Sequence, residues 1–321
     1  MRICMSCPAP PGSLYGNRVT ALRWSRILRE LGHKVSIVPA YENQPCQLLV
    51  ALHARRSAAS VFAFQEQHPG KPVILALTGT DVYRDIHRLQ RARRALELAS
   101  RLIVLQPLAV NELPANLRPK ARVIYQSAER TAGGRRRTDF FDVCVVGHLR
   151  GVKDPFRAAY ASRLLPKESR IRILQAGAPM EERMAQMARS EQVRNPRYRW
   201  LGGLPRGRAR RLIRSSRLVV LSSRMEGGAN VISEAVADGT PVLASRISGS
   251  VGLLGERYPG YFPVGDTAAL AALLLRAESD CAFYANLTQW CLRLRPLFRP
   301  AAEKAAWAKL LQEVCPASRP D

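Results

Sequence analysis

No stretch of this 321-residue chain approaches the roughly 18 consecutive apolar residues that a membrane-spanning helix needs. Met1-Arg-Ile-Cys-Met reads as a strand, with no apolar core and small-residue cleavage site beside it, so a secretory signal is not expected. Cysteine is sparse. The seven cysteines are an odd number without regular spacing, which excludes a disulfide framework and fits a reducing compartment; the expectation is a soluble, cytoplasmic protein. Cys4 and Cys7 form a CxxC, but within an expected strand residues i and i+3 face opposite sides, and no second Cys or His pair completes a zinc site. They read as packed or idle thiols. No DxD-like acidic pair and no His/Cys/Asp cluster at metal spacing is present, so neither metal nor other cofactor is expected. Acids are scarce as well: 25 Asp and Glu stand against 50 Lys and Arg, a formal charge of +25. Such an excess suits nucleic acid, an anionic membrane or a small acidic substrate. Aromatics make up only 7 % and are not grouped around the arginine runs Arg91–Arg94 and Arg135–Arg137, which argues against nucleic acid.

What is present is an ordinary globular composition, 47 % apolar and 23 % charged, long enough for two domains at about 150 residues each. Short β-branched runs alternate with amphipathic stretches, the pattern of βαβ units and a parallel sheet. The expected strands of the first half are Arg2 to Ser6, Lys34 to Val38, Gln47 to Leu52, Pro72 to Leu77, Arg101 to Leu105 and Ala121 to Tyr125. Trp24, Ile27, Leu28 and Leu31 recur at helical spacing, and Gly32 closes that helix. Residues 129–139, aperiodic and carrying two glycines and an arginine run, read as a linker between a domain at 1–128 and another at 140–295. The second series has strands at Phe141 to Val146, Ile171 to Gln175, Tyr198 to Leu201, Leu218 to Ser222 and Pro241 to Ala244. Helices are expected near 154–164, 180–192, 206–214, 229–238, 267–278 and 281–294. Residues 296–321 hold a last helix, Ala301 to Val314, that can pack back on the first domain. Two doubly wound α/β domains facing a central cleft would place the chemistry at the carboxyl ends of their strands.

The strongest motif runs from Glu226 through Gly227, Gly228, Ala229 and Asn230 to Glu234, and on to Gly239-Thr-Pro241, as a loop entering a helix between two strands. The glycines leave N–H groups open at a helix N-terminus, where partial positive charge favours phosphate. Glu234, two turns on, can accept paired hydrogen bonds from vicinal hydroxyls such as those of a ribose, and Glu226 can reach a sugar beyond the phosphates. The bland alternative is a capped helix with two solvent-facing acids. The spacing of Glu226 and Glu234, followed by E-A-x-A-x-G-T-P-V, resembles the donor motif of the family-4 class of glycosyltransferases with the GT-B fold. Val146-Gly147-His148-Leu149-Arg150-Gly151-Val152-Lys153 is similar to that class's first strand-loop of the C-terminal domain. The resemblance implies a metal-independent glycosyltransferase in which Gly147 lines the donor site and Arg150 and Lys153 neutralise the departing nucleoside diphosphate. Taken alone, the two cations of a basic chain are as readily surface charges.

The first half then supplies the acceptor side. Gly12, Gly16 and Asn17 sit at the first strand-to-helix turn, where the family class keeps a glycine loop and where an ordinary turn is the alternative. Leu52-His53-Ala54-Arg55-Arg56-Ser57 and Leu77-Thr78-Gly79-Thr80-Asp81-Val82-Tyr83-Arg84-Asp85 both place polar residues just past a strand. His53 suits proton transfer, Arg55 and Arg56 an anionic acceptor with Thr80 beside it, and Asp81 either a base, a sugar-hydroxyl partner or a helix N-cap. These segments, with Tyr125-Gln126-Ser127-Ala128-Glu129 in place of an Asn-Gly turn, resemble the selenosugar synthases of selenoneine biosynthesis. That resemblance implies transfer from UDP-N-acetylglucosamine or UDP-glucose to selenophosphate, forming a carbon–selenium bond. A conventional family-4 transferase making a cell-envelope glycan and a non-catalytic basic nucleic-acid-binding protein are the other readings.

Overall fold

The structure, a computed structural model, describes residues 1–13, 15–134 and 136–315. Leu14 of the first turn, Arg135 of the arginine run and positions 316–321 of the C-terminal segment lie outside the described residues. Among the described residues twelve strands are formed: β1 (Arg2–Ser6), β2 (Lys34–Val38), β3 (Leu48–Leu52), β4 (Val73–Leu77), β5 (Arg101–Val104), β6 (Ala121–Val123), β7 (Phe141–Val146), β8 (Ile171–Ala176), β9 (Tyr198–Trp200), β10 (Leu218–Leu221), β11 (Val242–Ser245) and β12 (Tyr261–Phe262). They build two all-parallel six-stranded sheets within two compact units, residues 1–126 with 300–315 and residues 127–299.

In the first unit the strand order is β2-β1-β3-β4-β5-β6. Each face carries its own core, because side chains alternate along a strand. Ile3, Met5, Val50 and Ile74 pack with Trp24, Ile27 and Leu28 of the helix Gly16–Glu30 and with Trp307, Leu310 and Leu311 of the helix Pro300–Val314. Leu49, Ala51, Leu75 and Leu102 pack on the other face with the helices Ala58–Gln67 and Gln90–Leu98. The CxxC thiols divide between these faces, Cys4 in the second core and Cys7 in the first, although Cys7 lies one residue beyond β1 rather than within it. Gly32 ends the first helix at φ +86°, its N–H donating to Arg29 O at 2.9 Å while that of His33 reaches Leu28 O at 3.1 Å. A left-handed residue at this place lets two terminal carbonyls be satisfied.

The second unit has order β12-β11-β10-β7-β8-β9. Its strands keep within one residue of the expected bounds, β9 and β10 each stopping one residue early and β8 running one further, and two elements were not expected: the helix Ser248–Leu254 and the edge strand β12, which pairs Ala244 with Tyr261 and Ser245 with Phe262. The helix expected at 154–164 is confined to Arg157–Ser162, because Gly151–Lys153 forms a 3-10 turn and Asp154 turns the chain at φ +44° ahead of Pro155. The segment marked as a linker is tied to this unit. Thr131 donates through N–H and Oγ1 to the buried Asp238 carboxylate at 2.6 and 2.8 Å, and Arg210 Nη2 reaches Glu129 O at 2.6 Å.

Candidate active site

Each sheet has one place where the chain reverses its direction of progress, between β1 and β3 in the first unit and between β7 and β10 in the second. Loops leaving adjacent strands on opposite sides of such a point diverge and open a crevice at the strands' carboxyl ends. Most of the residues singled out from the sequence fall on these loops; Thr80 and Asp81 follow β4 instead, and Asn230 and Glu234 lie in the helix after the β10 loop.

In the second unit, the loop after β7 carries Gly147, Arg150 and Lys153, and the loop after β10 carries Glu226 to Ala229. A backbone bond from Arg224 N–H to Val152 O, 2.8 Å, ties one loop to the other. The Lys153 ammonium then pairs with Glu226 Oε1, which also accepts from Ser223 Oγ at 2.6 Å. Arg150, half-buried, has no ion-pair or hydrogen-bond partner for its guanidinium among the described residues. Gly147 must pass close to the next loop: a Cβ on Gly177 would sit 1.9 Å from Gly147 O. Beyond the Gly227-Gly228 pair, the helix Asn230–Asp238 begins at Ala229 with no side-chain cap and no acid in its first turn, so the positive end of its dipole is uncancelled by a local carboxylate. Glu234 lies one turn inside this helix and is half-buried. The loops after β7 and β10 thus bring a cation and a carboxylate together at the carboxyl end of the sheet, with Arg150 on the first loop and a helix start behind the second, a chemistry suited to a diphosphate with hydroxyl-bearing groups on either side.

In the first unit, the loop after β3 holds His53, Arg55 and Arg56, and that after β4 holds Thr80 and Asp81. Asp81 is fully buried; its Oδ2 accepts from Ala54 N–H at 2.9 Å and its Oδ1 from Gly79 N–H at 2.8 Å. It therefore clamps two loops together and does not cap a following helix. His53 adopts φ +78°, a conformation uncommon for a non-glycine residue, and is buried with Nδ1 3.7 Å from Asp81 and Nε2 4.0 Å from Asp85. Burial pushes its pKa below the ordinary value, opposed by the charge of Asp81, reinforced by Arg56, and again opposed by Asp85. Asp85, to which the sequence reading gave no role, ends a five-residue π-helical turn, Asp81–Asp85, and faces the Arg55 and Arg84 guanidiniums at 3.0 and 3.1 Å. The i+4 spacing of Asp81 and Asp85 was its only signal. Arg56 is exposed and Thr80 half-buried, without a side-chain capping bond. Gly12, at φ +76°, and Gly16 are exposed, and a Cβ on either would meet nothing within 4 Å; Asn17 is half-buried in the first turn of the helix that Gly16 opens. Gln126 is buried and donates to Thr20 Oγ1 at 2.9 Å. Among the described residues no group of three or more His, Cys, Asp or Glu is placed to hold a metal ion, and no helix is long and apolar enough to cross a membrane.

Known proteins resemble this chain at two levels. Solved structures that match its fold over nearly the whole length include three of interest. HepE from Anabaena, in complex with UDP and glucose, is 16 % identical over 98 % of this chain and 100 % of its own, with a TM-score of 0.77. A sucrose-phosphate synthase from Thermosynechococcus elongatus is 17 % identical, covers 99 % of both chains and has a TM-score of 0.79. A glycosyltransferase from Rickettsia africae is 12 % identical over 99 % of both, with a TM-score of 0.72. No curated protein matches the sequence at a significant level. The family described as glycosyl transferases group 1 matches residues 128–289, half of the chain and all of the elements that carry Arg150, Lys153, Glu226 and Glu234. The chain belongs to that family and is a glycosyltransferase of GT-B architecture.

Proposed function

We propose that this glycosyltransferase takes a sugar from a UDP-sugar, UDP-N-acetylglucosamine or UDP-glucose, and transfers it to selenophosphate without a metal or other cofactor. The selenium lone pair would form the new bond to the anomeric carbon as the bond from that carbon to the UDP oxygen breaks, and UDP would leave with the electron pair. The observation that carries the donor half is the meeting of Lys153 and Glu226 at the β7/β10 switch point, just ahead of the helix that starts at Asn230. On this reading Arg150 and Lys153 stabilise the charge gained by the leaving diphosphate, Glu234 holds the ribose and Glu226 a hydroxyl of the sugar. The UDP and glucose held by HepE support a donor of this class.

The acceptor half rests on the loops after β3 and β4. Both of their carboxylates are buried and engaged, Asp81 by backbone N–H groups and Asp85 by arginines. Neither is presented as a base, which favours an acceptor that is already ionised and nucleophilic and needs positive charge to hold it. Arg56 is exposed to supply that charge. The seven free cysteines fit the cytoplasm as the place of work. The purified chain, given either UDP-sugar with selenophosphate, is expected to release UDP and form a product whose mass contains both sugar and selenium. UDP release that selenophosphate does not increase overturns the acceptor; turnover with a glycan acceptor alone returns the chain to a conventional envelope-glycan transferase. Unchanged activity on loss of Glu234, Arg150 and Lys153 together overturns catalysis at this site.

A further inference from the structure

Ser222 and Ser223 follow β10 directly, and both are buried. Neighbouring residues of an extended chain point opposite ways, and these two hydroxyls divide accordingly. Ser222 Oγ donates to the backbone carbonyls of Asp154 at 2.8 Å and Lys153 at 3.3 Å, holding the turn that presents the lysine. Ser223 Oγ donates to Glu226 Oε1, the same oxygen that takes the Lys153 ammonium. Oε2 of Glu226 therefore has no hydrogen-bond partner among the described residues, on a side chain only 11 % exposed. Two further contacts fix this geometry from behind. Ser245 Oγ, at the end of β11, donates to Ser223 O, and the helix Ser248–Leu254 approaches so closely that a Cβ on Gly249 would lie 2.0 Å from Glu226 O.

We propose that Ser223 is a positioning residue for the donor sugar: by drawing Glu226 Oε1 toward itself and Lys153, it reserves Oε2 for a hydroxyl of the transferred sugar. The inference rests on the donor reading above and deepens it, because UDP has no such hydroxyl. Loss of Ser223 is felt by the sugar and not by the nucleotide. Lys153 alone is a poor substitute, since a flexible ammonium fixes distance but not the rotation of the carboxylate.

Calorimetry of the full chain with UDP and with UDP-glucose tests this without knowledge of the acceptor. Ser223→Ala is expected to leave UDP affinity unchanged and to weaken UDP-glucose about ten-fold, the size of one hydrogen bond to a charged group. Ser223→Thr keeps the hydroxyl and is expected to restore it. In a Glu226→Gln background, Ser223→Ala should add little, because the two residues act as one unit. An equal loss of UDP and UDP-glucose affinity assigns Ser223 to general loop structure and overturns the proposal, as does wild-type UDP-glucose affinity in Ser223→Ala. Absence of UDP binding by the wild-type chain overturns the donor reading itself, and the proposal with it.

Discussion

The helix Pro300–Val314 brings Glu303 into the first unit, where its side chain is completely buried and Arg23 beside it is only 6 % exposed. Arg23 Nε lies 3.0 Å from Glu303 Oε2, Trp24 Nε1 donates to Oε1 at 2.7 Å, and the Trp24 and Trp307 rings meet edge to face with centroids 5.0 Å apart. Glu303→Ala removes the acceptor of two donors and leaves a guanidinium buried without its counter-charge. Breaking one side of a buried pair costs about 3–5 kcal/mol. Glu303→Gln keeps an oxygen for Trp24 and should cost less, while Arg23→Met with Glu303→Leu, which removes both charges, should recover most of the loss. A chain of two units has no single unfolding free energy, so the assay is hydrogen exchange resolved by segment. At 1.4 kcal/mol per factor of ten, Glu303→Ala should speed exchange in residues 300–314 and in β1 by about 100-fold or more, with β7 and β8 unchanged. Exchange within about three-fold of wild type in those segments would refute the reasoning, and so would equal acceleration in both units.

Three further outcomes follow from the sites described. Burial holds the His53 pKa below 6.5, so the unfolded chain takes up this proton first on acidification, and the stability of the first unit should fall as pH drops below about 6.5; His53→Asn, which tolerates the positive φ, should flatten that dependence in urea melts at pH 5 to 7. Gly177→Ala forces a Cβ against Gly147 O, a backbone atom that cannot swing aside, and should both lower the melting temperature of the second unit and weaken UDP binding measured by calorimetry. The Arg150 guanidinium has no ion-pair or hydrogen-bond partner among the described residues, so Arg150→Ala should leave the melting temperature nearly unchanged while lowering UDP-sugar turnover about 100-fold, and Arg150→Lys should not restore it.

Much of the architecture was legible because strong local signals agree with the tertiary fold. β1, β2 and β7 form over the expected residues; β1 and β7 are apolar runs buried on both faces between parallel neighbours, while β2 lies at the sheet edge and buries only Val35. The helix Ser248–Leu254 and strand β12 were not legible. Two glycines in seven residues weaken the first as a helix, and two residues cannot show a period. Both exist because neighbouring elements supply contacts: Glu226 backs against Gly249, and β11 offers an open edge to Tyr261 and Phe262.

The candidate site divides in the same way. From sequence alone came the loops that carry chemistry, since glycines ahead of a helix and charges just past a strand are local patterns with local physical causes. Only the tertiary structure decided what each side chain does. It turned Asp81 inward to hold two loops, set Asp85 against arginines, and brought Lys153 to Glu226 across 73 residues of chain. Ser223 is three residues from Glu226 and looked like any serine ending a strand; that its hydroxyl chooses one carboxylate oxygen depends on β11, Gly249 and the Lys153 turn closing around it. Hydrogen bonds and ion pairs act over a few ångströms, so they are fixed by which strand lies beside which, and strand order is a property of the whole sheet.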